Sequence, residues 1–340
     1  MSNHDPEAKV QSPPAAAATA NNSPYPHVYP NYPYVYCKDS SDKRRTVWLV
    51  PMVVVAEIVF FVIVMFENNC PKNYDGGSIF AQRHRCVARF LGRLSFQPWK
   101  ENPLLGPSTA TLIKVGALHW WRVVHGGQAW RLFSAIWLHA GLIHLFVNLL
   151  SVIFIGIRLE QQFSFLRVGI IYVLSGFGGS VLTCIFLQGN ASVGGSAPLF
   201  GLLGAMLAEL LINCSIYTNK IAAVFTLAVV GAINAALGIL PHVGNFSNIG
   251  GFAMGFFLGF ILLIQPHYNW SERGHGTARN RIMSKNRPYQ YILWLVALIL
   301  LIGGLTIGLV MLFKGKDGNK HCSWCHYLIC VPTSKWKCDA

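Results

Sequence analysis

Four polar side chains stand inside stretches that are otherwise apolar. Ser196 lies on the glycine-rich turn of "SVGGSAPLFGLLGAML", and Asn248 lies in "GNFSNIGGFAMGFFLGF". His144 and Asn148 lie in "HAGLIHLFVN", four residues apart and so one above the other on a single helix face. A serine on such a turn could act as a nucleophile, provided a base takes its proton and donors meet the oxyanion. No cofactor or metal is expected at this cluster. The plainer alternative is that Ser, Asn and a lone His serve as polar glue between membrane helices.

The elements that must position these residues follow from hydropathy. Crossing the hydrocarbon layer takes about 20 mostly apolar residues, and seven segments approach that: 47–66, 139–157, 168–187, 196–214, 221–240, 246–265 and 291–313. The second and fourth are marginal, because they carry His144, Asn148 and Glu209. The expected fold is an all-α polytopic membrane protein with the bilayer as its surroundings. No internal repeat of the transporter kind is visible. Residues 1–45 mix Pro, Ala, Tyr and Asn without periodicity and are expected to be disordered. No short apolar run stands at the N-terminus of this sequence, so the segment at 47–66 is expected to be an uncleaved anchor. The membrane domain would span 46–313, followed by a Cys-containing tail at 314–340.

Composition agrees. Hydrophobic residues make up 53% and charged residues 12%, about half the charge of a soluble domain. The net charge of +14 could suggest nucleic acid, but the basic residues fall mostly between apolar segments, so topology explains them and no nucleic-acid partner is expected. The loops after the second, fourth and sixth segments hold Arg158, Arg167, Lys220, Arg273, Arg279, Arg281, Lys285 and Arg287, whereas the loops after the third and fifth hold no Lys or Arg. The first set is therefore read as cytosolic, together with the N-terminus behind Lys43, Arg44 and Arg45. The basic first loop disagrees, but it is longer than the loops to which the rule applies.

This topology starts the second, fourth and sixth helices on one lumenal side, so His144, Asn148, Ser196 and Asn248 can converge at shallow depth. Cys70, Cys86, Cys322, Cys325, Cys330 and Cys338 fall on that side too, which suggests a disulfide framework. A zinc site in "HCSWCHYLIC", with His321 and His326, is the alternative. Cys184 and Cys214 read as packing residues. Glu57 and Glu209 read as hydrogen-bonded structural carboxylates, with a proton relay as the alternative. Gly251, Gly255 and Gly259, at four-residue spacing, allow close approach to the fourth helix or to a second copy of the chain.

From Trp121 to Ile264 the sequence resembles the rhomboid family of intramembrane serine proteases, especially its plant members. The motifs are "WRLFSAIWLHAGLIHLFVNLL", "SVGGSAPLFGLLGAML" and "FSNIGGFAMGFFLGF". The Cys-containing tail resembles the plant subgroup as well. The resemblance implies a six-helix core plus a seventh helix, and cleavage of single-span substrate helices near the membrane surface by a Ser–His dyad. Ser196 matches the nucleophile, His144 and Asn148 match oxyanion-hole residues, and Trp130 and Arg131 match a structurally important interface loop. Asn248 occupies the position of the dyad histidine. The serine turn reads Gly-Gly-Ser-Ala, so Ala197 stands where the family has a second glycine, and Pro198 follows. Two readings result: a pseudoprotease binding transmembrane-helix clients, or an active protease with a reduced or unusual dyad, for which His242 is the candidate base. The subgroup implies a Golgi or other secretory membrane.

Overall fold

The computed structural model describes residues 45–74, 86–212, 220–239, 243–265, 267–269, 283–285, 288–322, 325 and 328. The apolar runs form α1 (Leu49–Asn68), then α6 (Leu142–Phe163) through α11 (Pro288–Phe313). Between α1 and α6 the first loop folds into short helices: α2 (Cys70–Tyr74), α3 (Thr109–Val115), α4 (Trp120–Val124) and α5 (Arg131–Ser134). The remaining long helices are α7 (Phe165–Phe186), α8 (Ser196–Ile212), α9 (Lys220–Leu237) and α10 (Asn245–Leu262). Before α11, strands β1 (His267–Asn269) and β2 (Met283–Lys285) pair antiparallel, with His267 opposite Lys285. Among the described residues, five helices, those built on α1, α6, α7, α10 and α11, are long and apolar enough to cross a membrane. The other two, Ser196–Ile212 and Ile221–Leu237, are shorter apolar helices. At 1.5 Å per residue these reach about 25 Å, short of the ~30 Å hydrocarbon core. The chain is a multi-pass, all-α membrane protein.

The second apolar segment does not begin as a helix at residue 139. Gly141 is fully extended and α6 starts at Leu142, which leaves His139 in the approach to the helix. That approach is held by the first loop. Asn102 Nδ2 donates to Ala140 O at 2.8 Å, and a Cβ on Gly106 would lie 1.9 Å from the same oxygen. The loop is tied to α1 through Asn68, whose Oδ1 accepts from Gln97 Nε2, Ser108 N and Thr111 Oγ1 at 3.2, 2.9 and 3.1 Å. Arg131, almost fully buried, donates to Ile113 O and Ala117 O, both at 2.8 Å, and stacks on Trp130. Arg131 thus ties the segment before α6 to the loop around α3.

The start of α1 is capped from another helix. Trp48 N and Leu49 N donate to Glu160 Oε1 at 2.7 and 2.8 Å, and Val50 N donates to Oε2 at 3.0 Å. A helix leaves its first amides unpaired, and hydrocarbon offers them nothing, so a carboxylate with both oxygens engaged solves the problem.

The centre of the bundle is α8 against α10 and α7. A Cβ on Gly255 would lie 2.0 Å from Gly201 O, and one on Gly251 would lie 2.2 Å from Ala197 O. A Cβ on Gly259 would fall 2.8 Å from Ala205 Cα. The glycine row therefore packs α10 onto α8 within one chain. Around this contact Ile155, Ile171, Tyr172, Leu199, Leu202 and Leu258 form a buried core. The large side chains Ile292, Leu295, Ile299, Ile302 and Ile307 of α11 are exposed, as a lipid-facing helix requires.

Candidate functional site

Three loop segments meet where α8 begins. Leu118 and Ser192 exchange backbone hydrogen bonds of 2.9 and 3.1 Å, and Val193 bridges Val243 in parallel. Gly194 N and Gly195 N donate to Ala135 O and Leu138 O at 2.9 and 3.2 Å. A Cβ on Gly195 would lie 2.7 Å from both Leu138 O and His139 Nε2, so only glycine fits there. The turn thus delivers Ser196 rigidly as the first residue of α8, almost fully buried.

The Ser196 hydroxyl donates to Asn248 Oδ1 at 2.6 Å. Asn248 Nδ2 donates in turn to Asn245 Oδ1 at 3.2 Å, one turn back on α10. That second bond aims the carboxamide oxygen at the serine. The end of α9 presses on the same pair, because a Cβ on Gly238 would lie 2.1 Å from Asn245 Oδ1 and 3.0 Å from Asn248 Nδ2.

Asn148 reaches the other side of the turn. Its Nδ2 donates to Gly195 O at 3.1 Å and also lies 3.1 Å from His139 Nε2. One of its amide hydrogens is thus engaged by the Gly195 carbonyl in the resting protein, while its buried Oδ1 has no hydrogen-bond partner among the described residues. His144 receives a long hydrogen bond from Ala140 N (3.4 Å) and lies against the His139 ring, with centroids 5.2 Å apart. Of the four sequence candidates, Ser196 and Asn248 are bonded to each other. Asn148 touches the serine turn from behind, and His144 meets the approach to α6. His242 lies outside the described residues.

Sequence reasoning did not find the cluster behind Asn148. Glu57 of α1 is fully buried, its Oε1 accepts from the Tyr172 hydroxyl of α7, and its Oε2 lies 3.8 Å from His139 Nε2. The signal was a carboxylate in an apolar helix, but its partners are far away in sequence. Glu209 is also hydrogen-bonded, accepting from Gln162 Nε2 at 3.1 Å. Both carboxylates have the structural partners expected of them. Of the tail cysteines, Cys322 is disulfide-bonded to Cys325, and Cys70 is bonded to Cys86 in the first loop. Cys330 and Cys338 lie outside the described residues, as does His326 of the zinc alternative.

Fold and site together define a polytopic membrane protein whose central helices gather a serine, two histidines and two asparagines at one end. A rhomboid-domain model matches residues 126–265. RHOMBOID-like protein 2 of Arabidopsis thaliana is 58% identical over 308 residues, covering 91% of this chain and 95% of that protein. RHOMBOID-like protein 1 of Arabidopsis thaliana is 58% identical over 296 residues, 86% of this chain and 74% of that protein. Inactive RHOMBOID-like protein 8 of the same plant is 40% identical over 305 residues, 87% of this chain and 84% of that protein. The chain belongs to the rhomboid family.

Proposed function

We propose that this protein is a catalytically impaired rhomboid that binds transmembrane-helix clients instead of cutting them. The observation that carries the reading is the 2.6 Å hydrogen bond from the Ser196 hydroxyl to a carboxamide oxygen. Attack by serine requires a neighbour that removes the proton and later returns it to the leaving amine. A carboxamide accepts a hydrogen bond but is not protonated near neutral pH, so Asn248 orients the hydroxyl and leaves it an alcohol. In a soluble serine protease, losing the histidine alone costs about a million-fold in turnover. The commitment of one Asn148 N–H to Gly195 O weakens a second contribution, because that hydrogen is not available to an oxyanion. In this reading the cluster opens toward the lumen of a secretory, Golgi-type membrane with the N-terminus cytosolic, an orientation supported by the basic loops and the resemblance.

The decisive experiment reconstitutes the purified full chain in liposomes with a single-span substrate and a fluorophosphonate probe. The expected result is no cleavage and no labelling of Ser196. Cleavage abolished by Ser196→Ala would overturn the proposal and establish the second reading, an active rhomboid-type serine protease. Labelling lost in His242→Ala would assign its base.

A further inference from the structure

The two disulfides found among the described residues differ in kind. Cys70 and Cys86 are both buried, lie 16 residues apart and close the start of the first loop beside the Asn68 and Gln97 hydrogen bonds. Cys322 and Cys325 are separated by 3. A ring that small removes little freedom from the unfolded chain, since loop-closure entropy grows with loop length. As a staple it is weak. Its two sulfurs are also unequally placed: Cys325 is 3% exposed, whereas Cys322 is partly open to the surroundings. A Cys-x-x-Cys pair with an accessible first and a shielded second cysteine suits thiol–disulfide exchange, with one sulfur for attack and one to resolve.

The pair stands on a fixed platform. Gln188 Nε2 donates to Lys316 O at 3.1 Å, and Asn319 Nδ2 donates to Phe186 O. Phe186 stacks on Phe246 with ring centres 4.3 Å apart, and Phe246 is two residues before Asn248. The disulfide is therefore carried at the Ser196 end of the bundle, on the last turns of α7. The exposed cations Lys314, Lys316 and Lys320 precede it. Asp317, the one acid among them, is engaged through Asn319 N at 2.9 Å. Positive charge near a cysteine stabilises its thiolate, and these lysines precede Cys322 in the chain, the sulfur that is expelled in the second step of the exchange below.

We propose that Cys322–Cys325 is an exchange disulfide acting on dithiols in the membrane-proximal segments of partner proteins at this end of the molecule. The partner's first thiolate attacks Cys322 Sγ. The Cys322–Cys325 bond breaks, and the Cys325 thiolate leaves and takes a proton. The partner's second thiolate then attacks the partner sulfur of the mixed disulfide, expelling Cys322 as a thiolate. The partner dithiol is oxidised to a disulfide and the Cys-x-x-Cys pair is reduced to a dithiol, with two electrons transferred. This activity is independent of Ser196 and holds whether or not the protein is a protease.

The test uses the full chain in liposomes, equilibrated in glutathione buffers of stepped redox poise, with each bridge quantified by peptide mass spectrometry. The expected result is that Cys322–Cys325 opens at a poise where at least nine-tenths of Cys70–Cys86 is still closed. In Cys325→Ser, oxidised glutathione should modify Cys322 at least tenfold faster than it modifies Cys325 in Cys322→Ser. A single-span peptide carrying two cysteines just outside the membrane should be oxidised by the unaltered protein, and the same peptide in its disulfide form should be attacked by the free Cys322 thiolate of Cys325→Ser and held as a mixed disulfide, its second sulfur leaving as a thiolate. Opening of both bridges at one poise, equal modification of the two cysteines, or stoichiometric zinc held by the isolated protein would each overturn the proposal. The first measurement needs no variant, so a misfolded mutant cannot protect the idea.

Discussion

Two polar clusters flank Gly195, and each has what the other lacks. On one side, Ser196, Asn248 and Asn245 form a chain of hydrogen bonds that contains an alcohol and no group able to hold its proton. On the other, Glu57, Tyr172, His139 and Asn148 contain a carboxylate and an imidazole, but their contacts are with one another and with the Gly195 carbonyl. Groups capable of acid–base chemistry thus adjoin Gly195, the residue before the serine, and are spent on contacts between α1, α6 and α7 and the serine turn. Polar residues inside a membrane domain are costly and mark function by default. Here the comparison separates two ways of meeting that cost: one cluster fixes α1, α7 and α6 around the turn, and the other fixes the turn to α10.

The comparison can be broken most directly by giving the first cluster a base. Asn248→His should raise cleavage of a single-span substrate in liposomes by about a thousand-fold or more over the unaltered chain, and Ser196→Ala in that background should remove the gain. If Asn248→His stays inert while Asn248→His with Ala197→Gly cleaves, the residue beside the serine is a second block. Next in size is the loss of the second cluster's carboxylate. Glu57→Ala leaves the Tyr172 hydroxyl unpaired and a cavity in α1, and should cost about 3 kcal/mol in reversible unfolding measured in mixed micelles. Asn148→Ala strips a donor from Gly195 O and should cost about 2 kcal/mol by the same measurement. Ser196→Ala removes one hydrogen bond at the rim of α8 and should cost only about 1 kcal/mol. A Ser196→Ala cost larger than that of Glu57→Ala would reverse the assignment of the load to the second cluster.

The order of these effects matches what could be read from the chain. The apolar runs, the His144/Asn148 spacing and the row Gly251, Gly255 and Gly259 are local patterns, and each became the helix or contact that its period implies. Residue 139 was misread as helical because hydropathy does not register the extended Gly141. The first loop has no period to read, and its order comes from scattered polar contacts such as those of Asn68 and Asn102. The Glu57–Tyr172 bond joins residues 115 apart, and no periodicity encodes such a pairing. The role of Asn245 was missed for a smaller reason: it stands one turn before Asn248 and looks like an ordinary helix start.

The cap on α1 also sets a timetable for synthesis. Trp48 emerges 112 residues ahead of Glu160, the acid that receives its amide. At cellular translation speeds of about 5–20 residues per second, the leading helix waits roughly 6–20 s for that acid. During that interval water, a lipid headgroup or an insertion factor must shelter the bare amides at its tip. The N-terminal cap of the first span is therefore complete only once α6 has docked and brought Glu160 to it.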